Sequence, residues 1–211
     1  MDDFRKPSPA SYHCKSIKLQ YISGETFTVM FIQQPSIILI TGVMASGKST
    51  VAQALAERLP KSVHLRGDFF RRSIINGRAE MGFQLSDKAL AQLNLRYDIA
   101  TTVAAMYLAG GFTVVYQDII IAQTLADIVD KLRRHPLYVV VLCPDPTVVA
   151  AREAGRGKRG YGSEAEILSF DRVLREETPP IGLWLDTSTL TVAETVDTIL
   201  VRMDAARIGA G

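Results

Sequence analysis

Gly42-Val43-Met44-Ala45-Ser46-Gly47-Lys48-Ser49-Thr50 fits the phosphate-binding loop pattern G-x-x-x-x-G-K-[ST] at every fixed position. Before it, Ser36-Ile37-Ile38-Leu39-Ile40-Thr41 reads as a buried parallel strand, because the run is almost wholly apolar and short. After it, Val51, Leu55 and Leu59 recur at helical spacing, as do Ala52 and Ala56. Strand, glycine loop and helix in that order predict a nucleotide site. Gly42 and Gly47 permit a backbone path that surrounds a phosphate with N–H groups, and the helix beginning near Lys48 turns its positive dipole end on the same anion. The Lys48 ammonium is expected on the β- and γ-phosphates, the Ser49 hydroxyl on Mg2+ and Thr50 near the α-phosphate. Ala45 and Ser46 complete the cofactor-binding loop.

Composition sets the bounds around this loop. A chain of 211 residues, 47% hydrophobic and 22% charged, suits one α/β domain with a full core. The net charge of +2, from 24 Lys+Arg against 22 Asp+Glu, provides no global field for nucleic acid or membrane. Cys14 and Cys143 are the only cysteines, lie far apart and have no metal-ligand spacing, which points to a reducing cytoplasm. Lys18, Gln20, Glu25, Gln33, Gln34 and Pro35 interrupt the apolar parts of residues 17–41, so neither a signal peptide nor a membrane span is expected.

In chain order, residues 1–34 divide into a leader and a candidate β-hairpin, Ile17 to Ile22 and Phe27 to Ile32 around Ser23-Gly24-Glu25-Thr26. Residues 35–211 form the nucleotide-binding domain. Ser62 to Arg66 is a second strand ending in Gly67-Asp68, and Ser86-Asp87 opens a long helix to Leu108 that Gly110-Gly111 closes. Phe112 to Tyr116 is a third strand closed by Gln117-Asp118, Ile119 to Arg134 a helix, and Leu137 to Leu142 a fourth strand. A helix follows Pro146 to about Glu153, then a glycine-rich basic segment. Another runs from Ser163 to about Arg175, and Leu183 to Asp186 is a last strand before a helix over Thr191 to Met203. Five strands alternating with helices imply a parallel sheet with right-handed crossovers; their order, 2-3-1-4-5, is what the resemblance of the glycine loop to P-loop folds implies.

The loop names a ligand but not a reaction, so other positions must choose. No acidic residue follows Asp118 directly, as a motor ATPase would need, and no N-K-x-D or D-x-x-G stands where a GTPase would carry it. A kinase needs a base at the acceptor hydroxyl, a metal station and cations around the phosphoryl group. Asp68, at the carboxyl end of the second strand, is the candidate base, although the same residue suits a helix N-cap. Arg71 lies on the same helix face and Arg72 about 100° away, so at most one of the two is expected to work. Asp118 is a candidate for Mg2+ or substrate, and Arg96, beside Tyr97 on the long helix, for the acceptor. Arg152, Arg156, Lys158 and Arg159 lie among glycines where a lid is expected, near 152–162. Arg152 and Arg156 share a face if their helix persists.

These residues resemble the small kinases of the nucleoside-monophosphate-kinase-like fold, and within them the chloramphenicol phosphotransferase-like and AAA_33-type proteins. The likeness covers about residues 36–204. It rests on Gly42–Thr50, Gly67-Asp68, the strand Phe112–Asp118, the arginine-bearing lid, and Leu185-Asp186-Thr187-Ser188 before the last helix. The resemblance implies a three-layer P-loop fold, ATP as cofactor, Asp68 as general base, Arg152 and Arg156 as lid arginines, and Thr187-Ser188 near adenine. Asp68-x-x-Arg71 also resembles the acceptor site of polynucleotide and adenylylsulfate kinases. The D-G-[FY]-P-R signature of adenylate kinase-like enzymes and the glycine triplet of shikimate kinase are both absent after the third strand, which disfavours those acceptors. The expectation is phosphoryl transfer from ATP to a hydroxyl of a small molecule, an antibiotic among the candidates. The alternatives are a polynucleotide 5′-hydroxyl kinase, with nucleic acid disfavoured by the charge balance, and a nucleotide-binding regulatory module.

Overall fold

The computed structural model describes residues 34–82, 85–155 and 160–209. The hairpin expected over 17–32, and Arg156, Lys158 and Arg159, lie outside the described residues. The organising strand is β1, Ile37–Gly42, buried at every position. It leads through the glycine loop into α1, Lys48–Glu57, and then β2, Ser62–Arg66. A short α2, Asp68–Arg72, and the long α3, Asp87–Ala109, precede β3, Thr113–Gln117. Next come α4, Gln123–Leu132, β4, Leu137–Leu142, and α5, Pro146–Ala154. Then α6, Glu164–Arg172, runs into a π-turn over Val173–Glu177 before β5, Leu183–Leu185. The chain closes with α7, Val192–Val201, α8, Met203–Ala206, and β6, Arg207–Ile208.

The sheet runs β2-β3-β1-β4-β5, all parallel, as the strand–helix alternation predicts. Its central strands β1, β3 and β4 are the apolar ones, since helices cover both of their faces. On one face α1 packs against the sheet and α7. On the other, Ile37, Leu39, Val114, Tyr116, Val139 and Val141 share a core with Tyr97, Ala100 and Ala104 of α3 and Leu125 and Ile128 of α4. Alternate residues of β3 therefore face opposite helices, and that parity decides the site.

Two features depart from the sequence expectation. The sixth strand, β6, is antiparallel to β4 at Leu137 and Tyr138, the end that β5 leaves open because it pairs only with Val140 to Leu142. And α4 begins at Gln123 rather than Ile119. Thr41 Oγ1 donates to Ile120 O at 2.7 Å and accepts from Ile120 N at 2.9 Å, Tyr97 OH donates to Ile119 O at 2.7 Å, and Ala122 sits at φ 55°. The backbone groups of 119–120 are thus committed to tertiary partners before the helix begins.

Candidate active site

The carboxyl ends of the parallel strands open into a cavity of about 670 Å³. One wall is the glycine loop. Gly42 takes φ 140°, and a Cβ there would collide with Leu142 O, so the turn into the loop is open only to glycine. Ala45 also lies in the left-handed region, at φ 58°. Lys48 Nζ donates to Val43 O at 2.6 Å and to Ser46 Oγ at 3.4 Å. Arg152, in the last turn of α5, donates from Nη1 to Ser46 O at 3.3 Å and from Nη2 to Thr187 O at 2.9 Å. It ties the loop to the segment between β5 and α7. Asp145 caps α5, its side chain accepting from Thr147 N at 2.8 Å. The helix ends at Ala154, before Arg156. Tyr161 OH donates to Met44 O at 3.1 Å, while Glu153 accepts from the backbone N–H groups of Gly160 and Tyr161. Gly47, Ser49, Thr50, Thr187, Leu190, Val192 and Thr195 complete this wall.

The facing wall carries Asp68, Arg71, Arg72, Arg96 and Asp118. Asp68 opens α2, and its side chain keeps 34% exposure. Its carboxylate pairs with Arg72 at 2.7 Å and lies 3.9 Å from Arg66. Both Arg71 and Arg72 line the cavity, although helical spacing predicts that one of them points away. Arg72 meets Asp68, while Arg71 donates to Ala79 O at 2.8 Å. Asp118 is 4% exposed and pairs with Arg96, itself 11% exposed, at 3.0 Å; its Oδ1 also accepts from Ile119 N at 2.8 Å. Asp118 Oδ2 is buried with no hydrogen-bond partner among the described residues, and a Cβ on Gly67 would collide with it. Burial pushes the Asp118 carboxyl from 3.8 up to about 6, against the opposing pull of Arg96, Ile119 N–H and Lys48. Nearby Asp68 adds to the rise.

Every expected site residue within the described part lines this one cavity except Gly42, which shapes the loop from beneath, and Ser188, whose hydroxyl bonds Asp145 N and the Asp186 carboxylate. Ser49 and Asp118, the residues expected at the metal with Asp118 acting through water or on the substrate, both line the cavity but have different partners. Ser49 Oγ lies 3.4 Å from Gln117 Oε1, while Asp118, one residue on, faces α3 with Val114 and Tyr116. No motif marks Gln117 in the sequence, and only parity along β3 from its α3-facing residues turns it toward Ser49. Ser49 and Gln117 supply hard oxygen donors of the kind Mg2+ takes, and among the described residues no group of three or more His, Cys, Asp or Glu side chains forms a metal cage. The donor set fits Mg2+ carried by phosphates, and the glycine cradle fits the nucleotide.

Comparison with known proteins bears on this geometry. The AAA_33 family model, described as an AAA domain, matches residues 37–180. An adenylyl-sulfate kinase of Paraburkholderia xenovorans is 27% identical over 183 residues, covering 80% of this chain and 92% of its own length. The bifunctional enzyme CysN/CysC of Rhodopirellula baltica is 25% identical over 188 residues, 86% of this chain, and the chain spans 28% of that protein. Among solved structures, the tunicamycin resistance protein of Deinococcus radiodurans superposes with a TM-score of 0.61 at 15% identity, over 83% of this chain and 99% of its own. That likeness is one of fold. Among the described residues no helix is long and apolar enough to cross a membrane.

Proposed function

The chain belongs to the AAA_33 family, and from that premise we propose that it is an ATP-dependent kinase that moves the γ-phosphoryl group to a hydroxyl of a small molecule. The observation that carries this is a single cavity with Lys48 and Ser49 on one wall and the Asp68 carboxylate on the other. The similarity to an adenylyl-sulfate kinase over most of both chains supports it.

In this reading the loop amides and Lys48 hold the β- and γ-phosphates in place. Arg152, already fixed between Ser46 O and Thr187 O, presents a cation at the same edge, and Thr187 lies on the adenine side. Ser49 holds Mg2+, which when bound neutralises charge on the phosphate oxygens. Asp68 accepts the proton of the acceptor hydroxyl. The acceptor oxygen then bonds to the γ-phosphorus, the bond from that phosphorus to the β,γ-bridging oxygen breaks, and ADP leaves with the electron pair. Arg72 holds the Asp68 carboxylate in place, and Arg71 faces the acceptor. The Arg96–Asp118 pair is a fixed polar wall for the acceptor, placed by α3. The lid role of Arg156 belongs to the same proposal.

The test is ADP release with ATP, Mg2+ and a panel containing adenylyl sulfate, sugars, polyols, tunicamycin and a 5′-hydroxyl oligonucleotide. Acceptor-dependent ADP release with a small molecule supports the reading. Release only with the oligonucleotide, weakened steeply by salt, would turn it toward a nucleic-acid kinase. Nucleotide binding with no stimulation by any acceptor leaves a regulatory module.

A further inference from the structure

The two residues at the end of β3 have been sorted by the pleat. Val114, Tyr116 and Asp118 face α3, where Arg96 meets Asp118; Thr113, Val115 and Gln117 face α1, where Ser49 meets Gln117. One oxygen of Asp118 is already engaged. Oδ1 accepts from Arg96 and from Ile119 N, and Oδ2 is sealed against the Gly67 backbone, with no room even for a methyl group. A cation beside Ser49 would be ligated directly by Asp118 Oδ1 only if that oxygen left its ion pair with Arg96. Gln117 needs no movement. Its Oε1 stands 3.4 Å from Ser49 Oγ, longer than a good hydroxyl hydrogen bond. Two neighbouring ligands of an octahedral Mg2+ at about 2.1 Å lie ~3 Å apart, so this spacing is close to that of adjacent coordination sites.

Resting on the nucleotide reading above, we infer that the protein side of the metal station is the Ser49 hydroxyl with the Gln117 amide oxygen, and that Asp118 takes no part in it. Both donors are neutral. The station therefore has little hold on a free divalent cation, and the metal arrives bound to the nucleotide's own oxygens. The amide contributes an oxygen without contributing charge, which makes metal affinity conditional on ATP.

The experiment uses the full chain, Mn2+ and a non-hydrolysable ATP analogue, with analogue affinity measured by calorimetry in excess EDTA and in excess Mn2+. Mn2+ binding to nucleotide-free protein is measured by electron paramagnetic resonance. Wild-type protein is expected to bind the analogue more tightly with Mn2+ and to show no Mn2+ binding without it below millimolar concentration. Gln117→Ala should lose at least fivefold of the metal-dependent gain while keeping its metal-free analogue affinity. Gln117→Glu, which places a carboxylate of the same length at the station, should bind Mn2+ without nucleotide at submillimolar concentration, and decides the matter if the alanine variant does not fold. An unchanged metal gain in Gln117→Ala, or a gain lost in Asp118→Asn but kept in Gln117→Ala, overturns the assignment. None of these readouts needs phosphoryl transfer, so an enzyme that phosphorylates no member of the acceptor panel would leave them standing. A wild-type protein whose analogue affinity ignores Mn2+ would overturn the assignment alone, and one that binds no analogue under either condition would remove the nucleotide reading beneath it.

Discussion

The two walls of the cavity are built on different principles. The proposed nucleotide wall is mostly backbone: the loop between β1 and α1 takes positive φ at Gly42, Ala45 and Gly47, and Lys48 and Arg152 lie on main-chain oxygens. The proposed acceptor wall is mostly side chain, with Asp68 and Arg72 from α2 paired to each other and Arg96 from α3 reaching Asp118 just past β3. A backbone cradle recognises phosphate whatever is attached to it, whereas paired side chains can be exchanged one at a time. On the proposed reading, the difference places acceptor specificity on the second wall, where single side chains do the recognising.

Lys48→Ala should show the largest effect that the first wall can give, a fall in turnover of about 10²–10³-fold that is the same for every acceptor. An acceptor-dependent loss, read from kcat/KM across the panel, would break the division between walls. On the second wall, Asp118 gives a pH signature. Its carboxyl holds a proton up to about pH 6 in the folded protein and only to 3.8 ordinarily. The folded state thus binds more protons between those values, and stability from this group is full below the lower value and lost as pH rises through the upper one. Urea unfolding from pH 4 to 7 should show stability declining over that window, by about 3 kcal/mol at most from this residue. Asp118→Asn should flatten the decline, and an equal slope in the variant would contradict it.

Gly67→Ala sharpens the comparison further, because the new methyl group meets the Asp118 carboxylate directly. A destabilisation of roughly 1–3 kcal/mol is expected in denaturant titration, reduced when Asp118→Ala is added. The smallest effect belongs to the nucleotide wall's rim. Thr191 forms a capping box with Glu194 at the start of α7, which supplies Val192 and Thr195 to the cavity. Thr191→Ala should cost about 1 kcal/mol of stability in thermal or chemical unfolding.

The same division explains what the sequence discloses. The glycine loop, the five strands and their parallel sense are legible because each follows from contiguous residues, namely a motif, apolar runs and strand–helix alternation, while the strand order comes with the resemblance to P-loop kinases. Asp68 and Arg71 are legible as candidates from their place after a strand. The pairing of Arg72 with Asp68 and of Arg96 with Asp118 is not, since it depends on how α2 and α3 settle on the sheet. Gln117 was hidden by its neighbour. A carboxylate draws attention where an amide does not, and only the pleat of β3 shows which one faces Ser49. The start of α4 was hidden for a similar reason, as helical periodicity over 119–122 is overruled by Thr41 and Tyr97, both distant in the chain.

The most direct test of a phosphate cradle facing an acceptor base is to remove the base's proton affinity alone. Asp68→Asn keeps the size of the side chain, and its MgATP affinity and its ADP release with the best acceptor would be measured on the same preparation. The account predicts nucleotide affinity within about twofold of wild type and acceptor-dependent ADP release lowered by about 10²–10⁴-fold. Undiminished ADP release would contradict it.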